Sequence, residues 1–183
     1  MGQLAPHRPV LFLCAAFSRH SAALAWGLER TQVTWGPVAL ESELFEHRET
    51  HYYDSTMGTD LKKVFWAFET LADPALLVER KLQTNAWEVE YQQSAEHSEL
   101  RPLNLDPGYL TEAKLVLAST KDRDHRLYLD RGIYAEGTLF FNRGEWKTRP
   151  WTYPDYQRPD YHAFFTRCRE YLRRRYRETP TAE

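Results

Sequence analysis

The chain has 183 residues, of which 42% are hydrophobic and 14% aromatic, so it can bury a self-sufficient core and is neither a disordered chain nor a fold held by disulfides or metal. Its net charge of −2 hides a split: residues 1–100 hold 8 Lys+Arg against 14 Asp+Glu, whereas residues 101–183 hold 16 against 12. An anionic ligand is drawn first to the second part.

Residues 10–17 form a continuous apolar run, the pattern of a strand covered on both faces. With His7-Arg8 before it and Ala23-Leu-Ala25 after it, this run imitates a short signal peptide. Arg19 and His20 interrupt the approach to the would-be cleavage site, and no run reaches the length of a membrane span, so a cytoplasmic location is expected. Cys14 and Cys168 fall in apolar settings and read as reduced, packed thiols. Ser21 is the expected cap of a helix carrying Leu24 and Leu28, which ends before Gly36-Pro37. Val38, Leu40 and Leu44 then alternate with Glu41 and Glu43 as a strand, with Ser42 on its apolar face.

The loop from Glu46 to Asp60 is long for a simple connection, a length usual for functional or mobile loops. Val64 to Phe68 is a third strand. Asp73-Pro74 opens a helix to about Ser94, with Val78, Leu82, Ala86 and Val89 marking its inner face. Leu103 to Leu105 is the fourth strand. This βαββαβ order predicts a ferredoxin-like α+β sandwich, an antiparallel sheet with helices on one face. The spacing of Leu110, Ala113 and Leu117 then favours a short helix over Leu110 to Ser119, with a strand at Lys114 to Leu117 as the alternative.

Ile133 to Phe141 alternates and turns at Asn142-Arg-Gly144 into Glu145 to Arg149, a hairpin with Ile133, Ala135, Leu139 and Phe141 on one face and Tyr134, Glu136, Thr138 and Phe140 on the other. Pro150 to Tyr156 is an extended aromatic crossing. A last helix over about Asp160 to Arg177 buries Tyr161, Phe164, Phe165, Cys168 and Leu172. The whole chain, 1–183, reads as a single domain with frayed ends at about 1–8 and 178–183.

Potential chemistry is densest between Asn104 and Glu136. Asp106-Pro-Gly-Tyr109 reads first as a turn. Functionally, Asn104 and Asp106 would project from a strand end while the N-terminus of the following helix offers N–H groups to an anion. Lys114, at interior spacing in that helix, would need a carboxylate or a ligand phosphate. Ser119, Thr120, Lys121, His125 and Arg126 add hydroxyls, cations and a base within eight residues. Glu136, mid-strand, requires a partner such as Arg126, Lys114 or His125 if it is buried. It is expected instead to face a wet cleft, because Tyr134, Glu136 and Thr138 share the more polar face of their strand.

His47 and His51 stand four apart, but Arg48 occupies the position where a zinc-protease pattern needs Glu, so no metal site is predicted. No phosphate-binding P-loop and no nucleophile elbow is present, and the sequence leaves the cofactor unknown. The arginines at 167, 169, 173, 174, 175 and 177 read as a solvated helix face, which makes nucleic acid an unexpected partner.

Gly36-Pro-Val-Ala-Leu-Glu-Ser-Glu43, Tyr52-Tyr53, Met57-Gly58, Asn104-Leu-Asp-Pro-Gly-Tyr-Leu110, Lys114 through Asp122, His125-Arg126, Gly132-Ile-Tyr-Ala-Glu136 and Trp151-Thr-Tyr-Pro-Asp-Tyr156 together resemble the bacterial domain-of-unknown-function family numbered forty-four sixteen, over about residues 10 to 176. The resemblance implies no catalytic assignment. Some members are labelled GTP-binding, yet a guanine-reading loop needs Asp two residues after its Lys, where this chain has Arg123 after Lys121.

These residues point to a small anionic ligand, phosphorylated or carboxylated, with a nucleotide among the candidates. Lys114, Lys121 and Arg126 would hold it with Asn104, Ser119 and Thr120, while Asp106, His125 and Glu136 would be acid–base candidates and Tyr52 and Tyr53 would close over it. The alternative is a non-catalytic module that holds protein or RNA through the aromatic segment 151–156 and the arginine-rich last helix.

Overall fold

The computed structural model describes residues 7–94 and 97–178. Most of the expected frayed ends lie outside them. Nine antiparallel strands form one sheet, a single α+β domain: β1 (Leu11–Ser18), β2 (Val38–Glu41), β3 (Phe45–Glu46), β4 (Lys62–Phe68), β5 (Asn104–Leu110), β6 (Lys114–Ser119), β7 (Leu127–Asp130), β8 (Ile133–Asn142) and β9 (Glu145–Thr148). The order is β2-β4-β1-β5-β6-β8-β7, with β3 against β4 and β9 against β8. The helices are α1 (Ser21–Trp35), the single turn α2 (Asp54–Met57), α3 (Leu77–Ser94) and α4 (Pro159–Glu178).

The all-apolar run in β1 has the cause expected of it, since both faces are covered. Phe12, Cys14 and Ala16 pack with Ala23 and Leu24 of α1 and with Leu77, Val78, Trp87 and Tyr91 of α3. Leu11, Leu13 and Ala15 pack with Phe65 and with Tyr161, Phe164, Phe165, Cys168 and Leu172 of α4. The second layer is aromatic: Phe65 meets Tyr156, Tyr161, Phe164 and Phe165 at ring separations of 4.8 to 5.8 Å. Cys14 and Cys168 are free and buried, and burial pushes both thiols up. Among the described residues no helix is long and apolar enough to cross a membrane.

Three local expectations are corrected. Residues 110–119 contain a strand, β6, rather than a helix. Leu115, Val116, Leu117 and Ala118 are all buried, because β6 lies inside the sheet between β5 and β8, and a helix cannot bury four consecutive side chains on one face. Asp106-Pro-Gly-Tyr109 is no turn either. It runs straight through β5, paired with β1 from Leu11↔Leu110 to Phe17↔Asn104. Pro107 is tolerated because pairing of β5 with β6 begins only at Gly108.

Gly108 is needed there, since a Cβ would lie 2.5 Å from the Val116 carbonyl oxygen and 2.7 Å from a Leu117 methyl carbon. Gly108→Ala is expected to destabilise by about 1–3 kcal/mol, the range for overpacking. Unchanged urea unfolding would contradict that close approach.

The third correction concerns α3. Val78 is buried and Leu82 packs against the core as expected, but Ala86 and Val89 are exposed, and Leu77, Lys81, Thr84, Trp87 and Tyr91 complete the inner face. The hairpin forms as expected, with Arg143 and Gly144 both at positive φ, the requirement of a tight two-residue turn. A bulge in the β6–β8 register between Leu115 and Val116 shifts its faces. Ile133 and Ala135 consequently join the α1/α3 layer, while Leu139 and Phe141 join the α4 layer.

Candidate functional site

β5 and β6 separate toward the end of the sheet where β1 finishes. β5 pairs with β1 along its whole length but with β6 only from Gly108 to Leu110. The outer backbone edge of Leu105 is left without a strand, and side chains from α3 complete it. Its N–H donates to Glu88 Oε1 at 2.7 Å, and its carbonyl accepts from Lys81 Nζ at 3.3 Å. Lys81 also donates to Asp106 Oδ1 at 2.8 Å, Asn104 Nδ2 donates to Asp106 Oδ2 at 2.8 Å, and Arg101 closes on Glu88 at 2.7 Å.

The Lys81 side chain is 5% exposed and that of Asp106 30%, so the carboxylate forms the rim and the ammonium the floor. Burial pushes the Asp106 carboxyl up, but the charge and hydrogen bond of Lys81 outweigh it, and Arg101 and Asn104 help to hold it down to about 2. Burial works against Lys81 as well, yet Asp106 and Glu88 raise it above its ordinary value. The pair is ionised at neutral pH.

A second cluster forms around Glu136. Gly108 pairs with Leu117 and Leu117 with Glu136, so Asp106, two residues from Gly108, and Glu136 project on the same side of the sheet. Arg126 Nε donates to Glu136 Oε2 at 2.9 Å, His125 Nε2 lies 3.2 Å from the same oxygen, and Thr138 donates to Oε1 at 3.2 Å. Glu136 is 1% exposed, which corrects the expected wet setting. The strand face is polar because these groups satisfy one another. Arg126 also donates to Ser119 Oγ at 2.8 Å, to the Lys121 carbonyl at 2.9 Å and to the Tyr153 hydroxyl at 2.5 Å. The His125 ring stacks on Trp151 at 5.1 Å, and Lys121 Nζ donates to Tyr52 OH at 2.7 Å.

Tyr153 joins the two clusters. Burial raises its hydroxyl first, Glu136 adds, Arg126 opposes, and Asp106 and Asp155 add further, leaving it pushed up to about 12. Tyr53, packed against Phe17 at 5.0 Å, is raised in the same way by burial and then by Asp106. Beside them Lys63 Nζ donates to Asp155 at 2.6 Å near the buried His47, whose two ring nitrogens have no hydrogen-bond partner among the described residues. Burial, and then the Lys63 charge, lower the His47 pKa.

Of the residues singled out from the sequence, Asn104, Asp106, Ser119, Lys121, His125, Arg126, Glu136, Tyr52 and Tyr53 gather at this end of the sheet. Thr120 is exposed in the adjoining loop. Lys114 is apart: exposed at the other end of β6, it lines a cavity of about 360 Å³ with Val10, Tyr109, Glu112 and Tyr176. That cavity is open and lies away from the paired charges, so the chemistry is better sought at the Asp106–Glu136 end. Because β6 is a strand, the helix N-terminus expected to attract an anion does not exist.

Tyr153 and Asp155 were read only as part of the aromatic segment 151–156, and Lys81, Glu88 and Lys63 were missed. Their signal was present as the spacing 77, 81, 84, 88, 91 on α3 and as the Lys63/Phe65 alternation on β4.

The family model of a domain of unknown function, DUF4416, matches residues 8–171. The chain belongs to this family. No curated protein matches it, and no solved structure does. The matched span of DUF4416 includes every residue of both clusters, so the site is part of the family's domain rather than an appendage.

Proposed function

We propose that this DUF4416 chain binds a small phosphorylated or carboxylated molecule at the end of the sheet where β5 and β6 separate. The observation that carries the proposal is the Tyr153 hydroxyl, whose oxygen accepts from Arg126 while the same guanidinium holds the Lys121 carbonyl, so that a phenol and two cationic residues meet at one place. A phenol raised to about 12 stays neutral at pH 7, and with its oxygen occupied by Arg126 its O–H remains to donate. Lys121 has donor capacity beyond its bond to Tyr52. Both serve an anion. Glu136, sealed behind Arg126 and His125, then acts by holding those two cationic or basic side chains in place, and Asp106 is the ionised carboxylate nearest solvent.

The order β2-β4-β1-β5, with α1 and α3 on one face, supports reading the first part of the domain as a ferredoxin-like core that carries the site. The two free buried cysteines support a cytoplasmic setting.

The test is thermal stabilisation by a panel of inorganic phosphate, nucleotides and dicarboxylates. Lys121→Ala is expected to abolish the stabilisation while leaving apo stability within about 1 kcal/mol, the scale of a surface change. Arg126→Ala is a poor probe, because it strands the buried Glu136. If no anion in the panel stabilises the unmodified protein, the binding reading fails.

A second reading is favoured by one observation. β7 is an edge strand whose Leu127, Tyr128 and Leu129 are all exposed, and it follows closely on His125, which stacks on Trp151. Such an edge is suited to pairing with an extended segment of another protein. Of the aromatic crossing, Trp151 and Tyr153 are exposed, but Thr152, Asp155 and Tyr156 are buried framework.

A further inference from the structure

We propose that His20, His97 and Glu99 form a binding site for a divalent transition-metal ion of the zinc class. One ligand atom from each lies within 4.8 Å of the others; the three residues are of intermediate exposure, and the Glu99 side chain itself is 7% exposed. Two imidazoles and one carboxylate make a donor set suited to such an ion, with one coordination position left for water or a ligand. The inference does not depend on the anion cleft.

The fold explains why residues so far apart in sequence meet. β1 ends at Ser18 and β5 begins at Asn104, and these strands pair with Phe17 opposite Asn104. The segment leaving β1 and the segment entering β5 therefore emerge side by side, His20 on the first and His97 and Glu99 on the second. Ser18 pins both: its hydroxyl donates to the Pro102 carbonyl at 2.6 Å and accepts from the His20 N–H at 2.9 Å. His20 Nε2 stands 3.1 Å from Glu99 Oε2, close to the separation of two ligands on one tetrahedral ion.

The outer contacts orient these groups without filling the centre. Arg19 donates to the other carboxylate oxygen, Oε1, at 3.0 Å. His97 Nε2 lies 3.1 Å from the Tyr91 hydroxyl, an outer partner of the kind that steers metal-bound imidazoles. The His20 and His97 rings sit 4.3 Å apart at 31°. A purely structural tie between the start of α1 and the segment entering β5 would need only the Arg19–Glu99–His20 bonds; His97, already bonded to Tyr91, brings a second imidazole that such a tie does not require.

Protein stripped with a chelator and then titrated with Zn²⁺ against a chromophoric competitor is expected to take up one equivalent. The Co²⁺-loaded protein is expected to show the visible absorption of a tetrahedral site. His97→Ala and Glu99→Gln should each weaken Zn²⁺ uptake by at least about 10-fold and remove the Co²⁺ bands. Glu99→Gln keeps the shape and a hydrogen-bonding oxygen, so it serves if His97→Ala folds poorly. Far-UV circular dichroism of the stripped variants checks the fold. Absence of stoichiometric Zn²⁺ uptake, or uptake undiminished in both variants, would overturn the assignment.

Discussion

Glu136→Gln should destabilise the protein by roughly 3 kcal/mol or more, the cost of leaving a buried cation without its counter-charge. The stranded partner is Arg126, whose side chain is 5% exposed and whose remaining contacts, Ser119, the Lys121 carbonyl and Tyr153, are all neutral. For a chain of this length such a loss lowers the melting temperature by roughly 6–12 °C. Thermal unfolding of Glu136→Gln beside the unmodified protein measures it. A shift under about 2 °C would mean that water reaches the pair, and would return Glu136 to the role of a wet, ligand-facing group. The double variant Glu136→Gln/Arg126→Met should recover part of the loss, because removing both charges removes the mismatch that removing one creates.

Lys81→Ala should cost about 3–5 kcal/mol for the same reason in the opposite sense. Lys81 holds Asp106 at 2.8 Å and the Leu105 carbonyl at 3.3 Å, with Glu88 nearby. Without it Asp106 and Glu88 keep only Arg101 as a cationic neighbour, with Asn104 still bonded to Asp106. The effect is pH-dependent in a defined direction. In the unmodified protein the folded pKa of Asp106, about 2, lies below its ordinary 3.8, so its contribution is fully present above that ordinary value and is lost as pH falls through about 2. The shift corresponds to about 2 kcal/mol. Lys81→Ala should therefore lose most at neutral pH; its deficit should begin to shrink below the ordinary 3.8 of Asp106, be visibly smaller at pH 3, and close only below about 2, where Asp106 is protonated in both. Urea unfolding at pH 7 and at pH 3 separates the two. An equal loss at both would show that the lysine acts through packing alone.

Period and punctuation in the sequence determined the elements whose side chains make their own case. The apolar run of β1, the Asp73-capped 3-10 turn at Pro74–Leu76 that leads into α3, the Arg143-Gly144 hairpin and the apolar stripe of α4 each follow from local rules: burial on two faces, a cap, positive φ at a turn, and 3.6-residue spacing. The density of polar groups between Asn104 and Glu136 likewise marked the segment that supplies most of the cluster, because unpaired polar groups are not tolerated inside a sheet.

Tertiary structure alone decided the rest. Lys114-Leu-Val-Leu-Ala118 satisfies a helical and an extended pattern alike, and only its insertion between β5 and β8 selects the strand. That choice placed Lys114 at the far end and removed the expected helix terminus. Whether Glu136 faces water or protein is not a property of its strand but of Arg126, His125 and Thr138 closing over it. Lys81 and Glu88 look like surface charges on a helix until β5 and β6 diverge and expose backbone groups for them to complete. Local pattern states which residues seek a partner. Only the packed sheet, by bringing distant segments to one edge, states which partner each one finds.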